Sequence, residues 1–253
     1  MSDLEERLDG GILRLTLNRP DALNALTAGM IDRLTEAFEG CRRRDEVRLV
    51  VLNGAGGAFS AGADIGGGPE TFDASTMDRA NRLIRAICSL DKPVLSAVRG
   101  VAAGYGCALA LASDLVVAHE SASFLLAFAR IGLMPDGGTS ATVAASIGRA
   151  RAMRMALLAE PLSAQEAYDA GLVSHLAGDD FDVLVDKLAR RLEAGPPLAF
   201  AATKQAVNTA TLGHLEDALA REKRGQDVLL RTADTAEGIR AFAERRRPVF
   251  RGE

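Results

Sequence analysis

Residues Leu49-Val50-Val51-Leu52 form a short uninterrupted apolar run, followed by a segment rich in glycine and alanine, Gly54 to Gly68. A strand with no polar face has to be covered on both sides, which favours a parallel sheet with helices packed against it. The glycine-rich stretch cannot be regular structure throughout. Beyond it, Ser75 to Leu90 carries Met77, Leu83, Ile84 and Ile87 at helical spacing. The order then repeats. Pro93 opens a strand over Val94 to Val98, a small-residue helix is expected near Gly104 to Ala112, and Leu115 to Ala118 reads as another strand. Upstream, Leu13, Leu15 and Leu17 alternate with Arg14 and Thr16, the period of a half-buried strand, and Arg19-Pro20-Asp21 ends it. Thr27 is a fair N-cap for a helix whose Met30, Leu34, Phe38 and Cys41 share one face. Alternating strands and helices define an α/β core.

From Ser163 the pattern is mainly helical. Ser163 and Glu166 form a capping-box pair, Gly171 stands where a helix ends, and Val173-Ser174-His175 reads as a last strand. Pro196-Pro197 breaks the chain, and Ala199 to Thr209, Leu215 to Leu230 and Ala236 to Arg245 read as consecutive amphipathic helices. The expected organisation is a core over residues 1–195 and a helical C-terminal region over 196–253.

Composition removes several classes of function. The 253 residues carry 30 Lys plus Arg against 34 Asp plus Glu, a net charge of −4, so there is no cation excess to bind a nucleic-acid backbone. The start, MSDLEE, is unlike an export signal, and the longest uncharged stretch, Gly100 to Ser113, is shorter than the roughly 18–20 apolar residues that cross a bilayer. No membrane partner and a cytoplasmic location are expected. Cys41, Cys88 and Cys107 are odd in number and unpatterned, which suits buried reduced thiols. His119, His175 and His214 are scattered and form no metal motif, so no metal is expected. There is no P-loop. Gly57 to Gly62 misses the serine-hydrolase elbow by one residue, and Gly104-Tyr105-Gly106 lacks the third glycine of a dinucleotide fingerprint.

Two glycine-rich turns and one carboxylate remain. Phe59 to Asp64 and Arg99 to Gly106 each follow a predicted strand. Their small side chains let a ligand approach main-chain N–H groups, the second turn at the start of a helix. Two such turns can form an oxyanion hole. Phe59-Ser60-Ala61-Gly62-Ala63-Asp64-Ile65, Gly100 to Cys107, and Ile131-Gly132-Leu133-Met134-Pro135-Asp136-Gly137-Gly138 resemble the three signature segments of the crotonase superfamily, the enoyl-CoA hydratase/isomerase family. Leu17 to Pro20 with Ala22 to Leu26 resembles its CoA-side segment, and Glu237-Gly238 through Phe250 its C-terminal one. The similarity spans essentially the whole chain.

The resemblance implies an α/β, ClpP/crotonase-like spiral of ββα units with a helical C-terminal trimerisation region. It implies a homotrimer or dimer of trimers acting on acyl-CoA thioesters, with coenzyme A present only as part of the substrate. By motif position the thioester carbonyl would be held by the amides of Ala63 and Tyr105. Ala22, Leu23, Ala61, Asp64, Ile65, Val101, Gly104, Phe128 and Pro135 correspond to substrate or CoA contacts. The residue type of Asp64 reads first as a local ion pair or a cap of the following loop, and only second as an adenine or pantetheine contact. Tyr105 stands where the family commonly has glycine, and its ring is expected to narrow the acyl pocket.

Hydratases of the family carry two glutamates, which by position would fall at Ala108 and Phe128; neither residue here transfers a proton. The expected chemistry is therefore double-bond isomerisation through Asp136. A covalent role for Asp136, as in a hydrolase or dehalogenase, is the alternative, as is a non-catalytic acyl-CoA-binding protein in which Asp136 only caps the following helix. Asp114 reads as a buried structural carboxylate. Arg130 reads as a surface ion pair or a phosphate contact, Lys204 as a CoA phosphate contact, and Glu244 to Arg247 as a solvated helix end.

Overall fold

The protein, seen here as a computed structural model, is described over residues 2–68 and 75–253. At the centre of its larger sheet lies β3 (Leu49–Gly54), flanked by β2 (Ile12–Leu17) and β4 (Val94–Val98). β1 (Leu4–Asp9) pairs antiparallel outside β2, and β6 (Leu115–His119) and β9 (His175–Ala177) continue the sheet in parallel beyond β4. The apolar run of β3 has two coverings because its residues alternate. Val50 and Leu52 enter the main core with Leu34, Phe38 and Ile84, from α1 (Ala28–Cys41) and α2 (Thr76–Cys88). Leu49 and Val51 pack on the other face, against Phe181, Val185 and Ala189 of α6 (Phe181–Glu193).

Two strand pairs divide between sheets. β4 is followed by β5 (Val101–Ala103) and α3 (Tyr105–Leu111), and β6 by β7 (Ser123–Leu125), a 3-10 turn (Ala127–Ile131) and α4 (Thr139–Leu158). β5 pairs parallel with β7, and β7 antiparallel with β8 (Leu162–Ser163), forming a second, three-stranded sheet. The bend between β4 and β5 is at Gly100, with φ +61°, where a Cβ would lie 1.9 Å from the carbonyl oxygen of Gly57. This repeated ββα turn brings the start of α3 beside the glycine loop that follows β3.

The expected helix N-caps at Thr27 and Ser163 are present, the second as a full capping box opening α5 (Ala164–Asp169). The last strand lies at 175–177 rather than 173–175, because the Ser174 hydroxyl engages the Val116 backbone and the ladder to β6 begins one residue later. β1 has no counterpart among the expected elements. It is an edge strand with Glu5, Glu6 and Arg7 exposed, and its polarity hides the strand period. Cys41 and Cys107 are buried and Cys88 partly so; burial pushes the thiols of Cys88 and Cys107 up to about 12. Among the described residues no helix is long and apolar enough to cross a membrane.

Gly195 and Pro196 separate α6 from α7 (Pro197–Thr211), α8 (Leu215–Leu229) and α9 (Ala233–Ala243). α8 packs on α2 and α4, and α9 on the 3-10 turn. The fit of α9 depends on Gly238, where a Cβ would lie 2.5 Å from the Ile131 Cα.

Candidate active site

The two glycine turns are joined by backbone hydrogen bonds. Phe59 and Ser60 N–H donate to the Val101 carbonyl (3.1 and 3.0 Å), and Ala103 N–H donates to the Ser60 carbonyl (2.9 Å). Gly62, with φ +99°, passes so close to the end of β5 that a Cβ there would lie 2.7 Å from the Ala103 oxygen and 3.4 Å from the Tyr105 nitrogen. Leu26 N–H donates to the Gly62 carbonyl (2.8 Å) and Asp64 N–H to the Leu26 carbonyl (3.0 Å), a parallel bridge that skips the Ala63 amide. Tyr105 opens α3, where the first N–H groups have no intrahelical acceptor. The amides of Ala63 and Tyr105 donate to no acceptor among the described residues. Two unspent donors on adjoining turns suit an oxygen that gains negative charge during a reaction.

Asp136 precedes two left-handed glycines, Gly137 (φ +65°) and Gly138 (φ +76°), which turn the chain into α4. Its side chain does not cap that helix. The N-cap is Gly138, and the capping carboxylate is Glu222 of α8, which accepts from Gly138 N–H (2.7 Å), Ser140 N–H (3.0 Å) and the Ser140 hydroxyl (2.5 Å). Asp136 is 9% exposed; its Oδ2 accepts from Gln226 Nε2 at 2.8 Å, while the buried Oδ1 has no partner. Burial raises its carboxyl to about 7, opposed by the bond from Gln226 and assisted by the charge of Glu222. The result is a carboxyl able to take or give a proton near neutrality, with one oxygen free.

Ala108 and Phe128 are buried and contribute no ionisable group. Ala108 lies against the turn after Asp136: a Cβ at Gly137 would be 2.6 Å from the Ala108 Cβ and 3.1 Å from the Tyr105 ring. The Tyr105 ring is wedged between that turn and α2, its hydroxyl donating to the Ala80 carbonyl at 2.7 Å. Pro135 and Val101 are half-buried and Gly104 is buried beside these elements.

On the CoA-side segment Leu23 is left-handed (φ +49°) and 52% exposed, and its carbonyl accepts Ala61 N–H at 2.9 Å. Ala22 and Ile65 are half-buried and close in sequence to these turns. Asp64 is engaged locally: it accepts Gly66 N–H (3.0 Å) and pairs with Arg19 (2.9 Å), and both hold its carboxyl below the usual range. Buried Asn24, which sequence reasoning did not single out, braces the segment through Arg19 N–H and the carbonyls of Ala55 and Ala58.

Three cations have structural duties. Lys204 donates to Asp114 (2.8 Å) and to the carbonyls of Ile87 and Lys92, so its ammonium is committed to the protein. Arg130 donates to the Ala159 carbonyl (2.8 Å), and Arg246 pairs with Glu237 and Glu244. Asp114, its carboxyl raised by burial, also accepts Val94 N–H. Glu222 and Gln226 were missed as well. The signal was available, since both fall on the helix face of Leu215, Ala218 and Leu219, where polar residues break an apolar stripe.

The family model for enoyl-CoA hydratase/isomerase matches residues 7–253. A probable enoyl-CoA hydratase of Rhodobacter capsulatus is 45% identical over 246 residues, covering 96% of this chain and 95% of the relative. The 1,2-epoxyphenylacetyl-CoA isomerase of Escherichia coli is 38% identical, with both chains covered completely. The crystal structure of an enoyl-CoA hydratase from Mycobacterium avium subsp. paratuberculosis superimposes with TM-score 0.93 at 49% identity, over 99% of each chain. The fold is that of the crotonase superfamily. Within it, the chain belongs to the enoyl-CoA hydratase/isomerase family, whose members act on acyl-CoA.

Proposed function

We propose that the protein is an acyl-CoA isomerase in which Asp136 shuttles a proton and the Ala63 and Tyr105 amides hold the thioester oxygen. The Asp136 carboxylate takes the proton from C2 of a 3-enoyl thioester, and the C–H electron pair passes into a dienolate stabilised by the two donors. The same carboxylic acid returns the proton to C4, leaving the double bond at C2. Substrate and CoA contacts are assigned to Ala22, Leu23, Ala61, Ile65, Val101, Gly104, Phe128 and Pro135, with Asp64 and Arg19 shaping the CoA-side turn.

The observation that carries this reading is the unpartnered oxygen of a buried carboxyl raised to about 7, next to a turn packed on Ala108, with Ala108 and Phe128 offering no second acid or base at the positions where the two glutamates are expected. Hydration by the two-glutamate route requires two such groups. The name of the E. coli relative, which is 38% identical over its whole length, is that of an isomerase of an aromatic epoxide thioester; it favours an isomerase over a hydratase without naming a double-bond shift, and extends the candidate substrates to phenylacetyl-type thioesters, while the R. capsulatus relative carries a hydratase name. We further propose a homotrimer built through the C-terminal helices.

The test is a panel of 2-enoyl, 3-enoyl and aromatic CoA thioesters in deuterium oxide, with native protein and Asp136→Asn. Isomerisation with deuterium wash-in that the variant loses is expected. Equal exchange by both proteins refutes the assignment, a covalent adduct on Asp136 found by mass spectrometry favours the nucleophilic alternative, and tight CoA binding without turnover favours a non-catalytic one.

A further inference from the structure

Gln226 is 1% exposed, and its whole amide is committed to a stretch 90 to 92 residues earlier. Nε2 donates to the Met134 carbonyl (2.9 Å) and to Asp136 Oδ2 (2.8 Å), and Oε1 accepts Met134 N–H (3.3 Å). Both amide hydrogens are thus spent, and flipping the amide would set like groups against both backbone partners at Met134. The backbone therefore dictates that Asp136 always meets a donor. The approach is tight: a Cβ at Gly225, the preceding residue, would lie 2.2 Å from the Met134 sulfur.

A carboxyl with two free oxygens can rotate and present either to substrate. Here Oδ2 is held, and Oδ1 is the oxygen without a partner. The groups around it are few. From α8, Glu222 supplies charge but is fixed to the start of α4; from α3, the Tyr105 phenol is bound to Ala80 and pushed well above its ordinary value by burial. Neither donates to Oδ1.

Resting on the isomerase reading above, we propose that Gln226 is a positioning residue for the reaction: by holding Oδ2 it makes Oδ1 the oxygen that takes the proton from C2 and delivers it to C4. The C2–H pair moves into the dienolate while the proton bonds to Oδ1. The O–H bond then breaks toward C4, and the carboxylate is restored still bound to Gln226. Orientation of this kind acts on the chemical step more than on binding.

The test compares pH profiles of kcat and kcat/KM for native enzyme, Gln226→Met and Gln226→Glu, with Asp136→Asn as control. In Gln226→Met, kcat is expected to fall about tenfold to a hundredfold with KM within about threefold, and the rising limb of kcat/KM to move up by about one pH unit, because a donor to the ionised carboxylate is gone. In Gln226→Glu the introduced carboxylic acid has one hydrogen where the amide has two; given to Asp136 Oδ2 it holds that oxygen as the amide does, so activity should be confined to the pH range in which the two carboxyls share one proton and should fall on the alkaline side as that proton leaves. A Gln226→Met limb coincident with native, or a Gln226→Glu profile without an alkaline fall, overturns the proposal. If Gln226→Met does not fold, the Gln226→Glu profile decides alone. Turnover at the native rate by Asp136→Asn defeats the isomerase reading itself; its inactivity beside an unaltered Gln226→Met defeats only the role of Gln226.

Discussion

Asp136 combines a cost to stability with a use in chemistry. Its folded-state carboxyl titrates at about 7 against an ordinary 3.8, so the folded chain keeps a proton that the unfolded chain gives up between those values. Its contribution to stability is complete below the unfolded value, falls as pH rises toward 7, and is level above. Asp136→Asn should therefore melt higher than native protein at pH 8, by up to about 4 kcal/mol in unfolding free energy, with the gap closing near pH 4; thermal melts across that range check it. The same titration should govern the rate. As a base must be ionised to act, kcat/KM for 3-enoyl thioesters is expected to rise tenfold per unit below about pH 7 and flatten above. A second residue-scale expectation concerns Gly62: Gly62→Ala combines φ +99° with a Cβ 2.7 Å from the Ala103 oxygen, so the two turns must part. Its kcat/KM should drop by at least about a hundredfold, the scale of one lost oxyanion donor, in steady-state assays.

At the scale of elements, α8 governs the start of α4. Glu222 satisfies two backbone donors and a hydroxyl there, which outweighs the cost of burying its carboxyl, and an empty replacement leaves those donors unmet. Glu222→Ala should lose about 2–3 kcal/mol, read as a lower denaturant midpoint at unchanged slope. This relationship also marks where sequence reasoning stops. Leu13-Leu15-Leu17, the apolar run at Leu49 and the glycines at 62 and 104 are legible because strand period and backbone freedom are local properties. Asp136 was legible as a carboxylate beside two glycines, but its partner was not: both a helix cap and a buried acid suit that spacing, and the cap at Gly138 went to Glu222, 84 positions beyond it. Polar β1 escaped notice because an edge strand needs only Leu4 and its ladder to β2 to hold it.

For the whole molecule, the C-terminal helices are structural members of the candidate site. α9 seats Gly238 on Ile131, and the Thr235 hydroxyl donates to the Gly132 carbonyl (3.3 Å), so the segment leading to Asp136 is gripped by α9 as well as α8. Gly238→Val should displace that segment and lower turnover while the central sheet keeps its native circular dichroism. The same region leaves Leu198, Val228 and Phe242 exposed, and the end of α4 exposes Leu157 and Leu158. Light scattering after size exclusion is expected to give a trimer of about 80 kDa rather than the 26.6 kDa chain. The dependence of Asp136 on Gln226 has a temporal side too. A ribosome that has joined only the first two hundred residues has already made both amide donors and the acid, yet the glutamine that steadies the acid is still to be synthesised. On the proposed role of Gln226, the aim of the acid is therefore completed last, with the final helices.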